Sequence, residues 1–282
     1  MTKEPLYHRI QRFYDRATPL WEAVWGEHLH HGFYGPDGRR RTDPYRAQVD
    51  LIEALLRWAE VAPAQRILDV GCGVGGSALY LLKHLNAQQV VGVTLSPVQA
   101  RRAQQRAAEA GAGERAHFLV ADALAPPLAP EQFDLVWALE SGEHMPDKRR
   151  FIQACVDMLA PGGVLVVATW CHRPVPPPLT SAEKGLLQRL YRRYHLPGII
   201  SLPEYAHLAE AAGLSRIRIA DWSAAVAPFW KEVLRSALRW KSLIGLWRAG
   251  WETVRGALAI PLMIRGYRTG LIRYGVLRGE KR

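Results

Sequence analysis

The spacing of apolar residues changes character several times between residues 49 and 169. Val49, Ile52, Leu55, Leu56 and Ala59 recur at steps of three and four, which predicts a helix ending near Glu60. Arg66 to Val70 is a short apolar run that stops at a cluster of glycines, and helical spacing returns from Leu79 to Leu85. The unit repeats as Val90 to Thr94 with Pro97 to Ala110, then Ala116 to Val120, then Phe133 to Ala138 with Arg149 to Leu159, then Val164 to Thr169. Five short runs alternating with helical segments predict an α/β fold with a doubly wound, mostly parallel sheet. The residues before Val49, rich in aromatics and histidines, read as irregular.

Past Thr169, four prolines between Cys171 and Pro178 break the alternation and read as an insertion. A helix over Pro203 to Ala212, stopped by Gly213, leads to a sixth strand at Arg216 to Ala220. Helical pattern dominates from Phe229 to about Arg268, and Tyr274 to Leu277 predicts a short seventh strand.

With 49% apolar and 22% charged residues, a chain of 282 residues can bury a sizeable core, which excludes disordered and fibrous classes. Cys72, Cys155 and Cys171 have neither paired spacing nor an even count, so a reduced, intracellular setting is expected rather than a disulfide framework or a zinc site. The opening residues are charged and lack an apolar core, so no secretory signal is read. Apolar stretches such as Ala257 to Ile264 fall far short of the roughly 18 residues that span a bilayer. The net charge of +11 raises nucleic acid as a partner, but the charge is regional. Trp222 to Arg282 holds 12 Lys and Arg against 3 Asp and Glu, together with five of the ten tryptophans.

The strongest chemical signal is Leu68-Asp69-Val70-Gly71-Cys72-Gly73-Val74-Gly75-Gly76, set between a strand and a helix. Glycine lets the backbone turn sharply and approach a ligand closely. A dinucleotide fingerprint reads GxGxxG with an acid about 20 residues on. Here the spacing is GxGxG, an acid precedes it, and the second strand ends in Thr94. These departures count against a nicotinamide cofactor.

The nonapeptide resembles motif I of class I S-adenosylmethionine-dependent methyltransferases. The resemblance implies that Asp69 holds the cationic amino-acid end of S-adenosyl-L-methionine, with Gly71, Cys72, Gly73 and Gly75 beneath it. It also implies a ribose corner at Thr94, Leu95, Ser96 and Gln99, and an adenine contact at Ala121, Asp122 and Ala123. Further segments are similar to gamma-tocopherol methyltransferases: Tyr14-Asp15, Leu20-Trp21, Trp25 to Tyr34 (WGEHLHHGFY), Thr94 to Gln99 (TLSPVQ), Glu140 to Lys148 (ESGEHMPDK), Thr169 to Arg173 (TWCHR), Ala220 to Trp230, and Pro261 to Ile264 (PLMI). The likeness runs over almost the whole chain. It implies a Rossmann-like seven-stranded domain with an N-terminal lid over residues 1–45 and a cofactor-binding core over 46–221. An insertion at 171–202 interrupts that core, and a helical substrate cap at 222–270 and a closing strand at 271–282 follow it. The implied reaction is methylation of the chromanol ring of gamma-tocopherol, and of delta-tocopherol, in vitamin E synthesis. Plant members carry a transit peptide that is not read here. A bacterial, photosynthetic source is therefore expected, with the enzyme cytoplasmic or peripherally membrane-bound.

A neutral phenol is a feeble carbon nucleophile, and removing its proton, which has a pKa of about 10, sends charge to the ortho carbon. A general base within hydrogen-bond reach is therefore expected to help by about 10²- to 10⁴-fold. Glu140 ends the fourth strand, where open α/β sheets bind ligands, and a helical turn would place His144 on its face, making the pair the leading candidates. The cap reading, in which the two only orient the next helix, stays open, and Glu143 reads as solvated. Glu140 also joins the expected cofactor wall. His30 and His31 sit on the lid, at most one of them pointing inward, and Tyr14 and Tyr34 are candidates to face the sulfonium methyl. His172 is a weaker candidate. His28, His30 and His31 lack a fourth ligand for zinc, and no metal is expected.

Trp240, Ile244, Trp247, Trp251, Val254 and Leu258 form one helical stripe, flanked by Lys241, Arg248 and Arg255. Tryptophan beside cations suits contact with an anionic membrane surface, from which a prenyl-tailed substrate could be drawn; packing on the protein's own domain is the alternative. Two other functions compete. Sarcosine-type or indole-alkaloid N-methyltransferases share the lid pattern, though the sarcosine type lacks the basic cap. A nucleic-acid methyltransferase would use the basic charge, but Glu140 and Glu143 would repel phosphate.

Overall fold

The computed structural model describes residues 6–237 and 259–282. The seven strands are β1 (Arg66–Val70), β2 (Gln89–Thr94), β3 (Ala116–Val120), β4 (Phe133–Leu139), β5 (Leu159–His172), β6 (Leu214–Asp221) and β7 (Ile272–Lys281). They form one sheet in the order β3-β2-β1-β4-β5-β7-β6. The pairs from β3 to β5 are parallel, and β7 runs antiparallel to both β5 and β6. The last strand is thus slotted into the sheet rather than added at its edge.

Side chains alternate between two covered faces, as a doubly wound sheet requires. Leu135, Trp137 and Leu139 of β4 enter one apolar cluster with Leu51, Ile52 and Leu55 of α2 (Pro44–Ala59) and Leu81 of α3 (Gly76–His84). Val136 and Ala138 enter the other, with Phe151, Ile152 and Cys155 of α5 (Lys148–Met158) and Tyr205 of α7 (Leu202–Ala211). Between them in sequence lie α4 (Pro97–Glu109) and α6 (Ser181–Tyr194), and after β6 come α8 (Ser223–Val226), α9 (Phe229–Ala237) and α10 (Ile260–Arg268).

Three expectations are corrected here. The opening is not irregular: α1 (Leu6–Trp25) is a 20-residue helix. Its buried Ile10, Phe13 and Ala17 keep helical spacing, a signal masked by the aromatic and charged residues between them. Helix α2 begins at Pro44, earlier than the apolar spacing alone suggests, because Asp43 caps it by accepting from the N–H groups of Tyr45 and Arg46. The supposed insertion begins later than residue 171, since β5 continues through His172, and its middle is the regular helix α6, closed at its start by the capping box Thr180–Glu183. The Trp and Arg stripe from Trp240 to Leu258 lies outside the described residues. No helix of the described residues is long and apolar enough to cross a membrane.

Candidate active site

The ends of β1, β2 and β4 and the loop after β3 open onto one cavity that is partly open to solvent. Asp69, Gly71, Cys72 and Gly73 line it from β1 and its loop; Thr94, Leu95, Ser96 and Gln99 line it from β2 and α4. Ala121, Asp122 and Ala123 follow β3, and Glu140 and His144 follow β4. Helix α1 crosses the cavity with one face, Tyr7, Ile10, Gln11 and Tyr14, and His30 completes the wall. Residues that the sequence scatters from Tyr7 to His144 therefore meet in one place.

Within this set the structure separates ligand-facing positions from structural ones. Asp69 is buried, one carboxylate oxygen has no partner among the described residues, and burial raises its pKa to about 7 despite a backbone hydrogen bond from Ala78. A buried, half-satisfied carboxylate in a cavity wall calls for a cationic ligand. A Cβ on Gly73, where φ is +52°, would meet nothing within 4 Å, so the space over this turn is open. Gly71 is required for a different reason. Its Cβ would lie 2.3 Å from that of Ser141, whose hydroxyl donates to the Val70 carbonyl. Gly75, expected beneath the cofactor, does not line the cavity. It starts α3 at φ +84° and leaves room for Ala103 and Phe118, so its role is packing.

The ribose corner is largely satisfied from within. Ser96 Oγ accepts from the Gln99 N–H to cap α4 and donates to Asp15, while Gln99 Nε2 donates to Thr18 Oγ1 at 3.3 Å. These groups therefore also fasten α1. Arg102 and Arg106 reach Glu22 at 2.8 Å, and Arg106 reaches Glu27 at 2.8 Å. Asp122 Oδ1 accepts from the Leu124 N–H at 2.9 Å and from the Tyr7 hydroxyl at 3.4 Å.

The expected Glu140–His144 pair does not form. Glu140 leaves β4 at φ +54°, and the helical turn after it is a 3-10 turn that starts only at Gly142, so the two side chains diverge. His144 Nε2 instead faces the Tyr14 hydroxyl at 2.7 Å, and His144 Nδ1 is buried without a partner among the described residues. Burial and the Lys148 cation lower the His144 pKa to about 3, so its imidazole is neutral, and burial raises the Tyr14 phenol. The imidazole paired to Glu140 belongs to His31, at 2.8 Å.

Glu143 is not solvated. It is 1% exposed, accepts from Thr169 Oγ1 at 2.7 Å, and its pKa is raised to about 8 by burial and by Glu140. Lys148 Nζ donates to the carbonyls of Glu143 at 3.1 Å and Met145 at 2.5 Å, bracketing His144.

His30 and His31 are both buried, and of the two only His30 lines the cavity. Gln48 donates to the carbonyls of His28 and His30, and the Phe33 N–H to that of Ala47, which clamps the segment between α2 and the sheet. His30 lines the cavity with its pKa lowered by burial, and its Nε2 has no partner among the described residues. Tyr34 stands away from the cavity in a cluster with Ala47 and Phe229. His172 contacts the Arg173 carbonyl and Glu204 instead. Residues missed from sequence include Tyr7, Ile10 and Gln11 of the lining and Tyr274, which bonds Glu140. The first three share the period of α1, whereas nothing local marks Tyr274.

The seven-stranded sheet with its antiparallel penultimate strand and an acid-flanked glycine loop defines a class I S-adenosylmethionine-dependent methyltransferase, and a family model described as a methyltransferase domain matches residues 67–163. The chain is 46% identical to a rice (Oryza sativa subsp. japonica) protein named "Probable tocopherol O-methyltransferase, chloroplastic", over 96% of this chain and 77% of the relative. It is 43% identical to the chloroplastic tocopherol O-methyltransferase of Arabidopsis thaliana, over 99% and 83%. The chain therefore belongs to the tocopherol methyltransferase family. Among solved structures, the [4+2]-cyclase SpnF superposes with a TM-score of 0.82 at 27% identity, over 98% of this chain and 97% of the other. The named relatives are chloroplastic and lend no support to the bacterial source expected from the sequence.

Proposed function

We propose that the enzyme methylates a chromanol ring carbon ortho to the phenol, with gamma-tocopherol and delta-tocopherol as acceptors. The observation that carries this reading is a two-ended cavity. At one end stands Asp69, a buried carboxylate with an unpartnered oxygen. At the other end stand Glu140, His144, His30 and Tyr14, with the Tyr14 and His144 rings edge to face at 5.4 Å.

S-adenosyl-L-methionine, when bound, supplies an electrophilic methyl group on a sulfonium. The chain's residues then have three tasks. Asp69 binds the cationic end, the open turn at Gly73 gives it room, and Asp122 with Tyr7 stands at the adenine end. The lid α1 excludes water, its Tyr14 held by His144. The carboxylate of Glu140 places negative charge where a sulfonium is favoured, and a base at the same end removes the phenolic proton. Residues 222–270 serve as a cap that draws the substrate from an anionic membrane surface, and the basic tryptophan-rich composition of that segment supports this.

The relatives' names specify an O-methyltransferase, whereas this reading places the methyl on carbon. Incubating the enzyme with methyl-labelled S-adenosylmethionine and, separately, gamma-tocopherol, delta-tocopherol, sarcosine and an indole alkaloid tests both points. The expected product carries label on the ring and keeps a free phenol. A methyl ether, or label only on nitrogen, overturns the reading.

A further inference from the structure

Glu140 leaves β4 at φ +54°, a left-handed conformation that a residue with a Cβ keeps only where its surroundings over-determine it. Three contacts do so here. Glu140 Oε1 accepts from the His31 backbone N–H at 2.8 Å and from the Tyr274 hydroxyl at 2.9 Å, and Oε2 faces His31 Nδ1 at 2.8 Å. Burial alone would raise the Glu140 pKa, but His31 beside it holds it below the usual carboxylate range, so the group is ionised. An ionised carboxylate only accepts, so Nδ1 is the nitrogen that carries the proton in this contact. Two carboxylate oxygens accept about four hydrogen bonds, and the place left over is on Oε2. Glu140 lines the cavity, whereas His31 and Tyr274 do not.

Tyr274 joins that carboxylate to the start of the cap. Its side chain is fully buried, and burial together with the Glu140 charge pushes its phenol well above the usual range, so the hydroxyl stays a donor. Its backbone is fixed as well. Tyr274 pairs with Trp170 of β5, its N–H donates to Ser223 Oγ at 2.9 Å, and its carbonyl accepts from the Trp222 N–H at 2.8 Å. On the lid side, Gln48 holds the carbonyls of His28 and His30, which fixes the segment carrying the His31 N–H. Two parts of the chain, 109 and 134 positions from Glu140, therefore end on one carboxylate.

We propose that Tyr274 and His31 are positioning residues for methyl transfer: acting through Glu140, they hold its carboxylate against the cavity, where it favours the sulfonium of the donor over the neutral thioether left after transfer. The proposal rests on the reading above that Glu140 stands beside the sulfonium. A carboxylate that is desolvated and already oriented acts strongly on a nearby cation, because no reorganisation is needed when the ligand arrives. Removing one of its donors lets it turn or take a proton. Either change weakens the charge that a sulfonium meets and leaves a thioether almost unaffected. Docking of the lid segment and of the inserted strand β7 is thereby registered at the donor.

The test is a double-mutant cycle on the full chain with Tyr274→Phe, Glu140→Gln and the two combined. Binding of S-adenosylmethionine and of S-adenosylhomocysteine is measured by calorimetry. The ratio of the two affinities is the readout, since a packing defect weakens both ligands alike. Glu140→Gln is expected to lower the preference for the sulfonium about tenfold or more, and Tyr274→Phe about three- to tenfold. In the Glu140→Gln background, Tyr274→Phe is expected to change the ratio by less than about twofold. A ratio lowered by Glu140→Gln but unchanged by Tyr274→Phe overturns the positioning role, as does an equal effect of Tyr274→Phe in both backgrounds. If Tyr274→Phe does not fold, His31→Phe, which removes the donor to Oε2, takes its place in the cycle with the same expected and overturning outcomes. An unchanged ratio in Glu140→Gln removes the placement of that carboxylate at the sulfonium, and the proposal with it. Failure of the wild type to methylate any chromanol removes only the acceptor reading, because the ratio is measured without an acceptor.

Discussion

The two ends of the cavity are built in opposite ways. The proposed donor end comes from short segments that each end or follow a strand: Asp69 to Gly73, Thr94 to Gln99, and Ala121 to Ala123. The proposed acceptor end is centred on Glu140, whose carboxylate is held from behind by His31 and Tyr274, residues that no local pattern connects to it. The first construction tolerates change elsewhere in the chain, because the strand termini are set by the sheet. The second depends on the lid, the cap and the last strand all being docked. Specialisation within one methyl-transfer scaffold is therefore expected at the acceptor end, where a rearranged element alters several contacts at once.

If the two ends are separable, damage at the donor end should abolish binding of the donor, and damage at the acceptor end should spare it. The largest effect is expected from Gly71→Val. The strain of φ +83° and the collision with Ser141 together cost about 2–6 kcal/mol, and calorimetry should detect no S-adenosylhomocysteine binding. Normal binding and an unchanged urea midpoint would break the comparison.

Asp69→Asn comes next, with affinity for S-adenosylmethionine falling about ten- to hundredfold. Its pH dependence sharpens the point. In the unliganded protein the raised carboxyl binds a proton that the unfolded chain, with a pKa of about 3.9, has already released, so stability falls as pH rises between roughly 4 and 7. Affinity for the cationic donor should rise over the upper part of the same range, as Asp69 ionises. Thermal scans and titrations at several pH values should show both slopes in the wild type and neither in Asp69→Asn.

At the acceptor end, Tyr14→Phe removes the hydroxyl that faces His144 at 2.7 Å. Turnover is expected to fall about three- to tenfold with donor affinity nearly unchanged, read from a kcat and KM split. A donor-binding defect larger than the loss of turnover would merge the two ends. The smallest effect is expected at the fastening of the lid, where Glu22 meets Arg102 and Arg106 in partly exposed pairs. Glu22→Gln should speed release of S-adenosylhomocysteine in stopped flow by no more than about threefold at low salt, and the difference should vanish at high salt.

The legibility of the chain follows the same division. The strands of the parallel core were readable because burial on both faces imposes apolar runs, and the glycine loop because its backbone conformations exclude other residues. Helix α1 was missed although Ile10, Phe13 and Ala17 keep its period, because the aromatic and charged residues between them obscured the stripe. Glu140 and His144 were correctly placed beside the cavity but wrongly paired. The error lay in assuming helical geometry where the chain turns at φ +54°. The proline-rich stretch after β5 concealed α6, whose capping box is nevertheless plain in Thr180 and Glu183.

What the sequence determined by itself was the sheet, the donor loop and the family, because these rest on periodicity, on glycine stereochemistry and on contiguous motifs. Which imidazole meets Glu140, and that Tyr274 joins them, was decided only by tertiary structure. A hydrogen bond between residues 109 or 134 positions apart depends on where the lid and the inserted strand β7 come to rest, and no local preference of the chain encodes that distance.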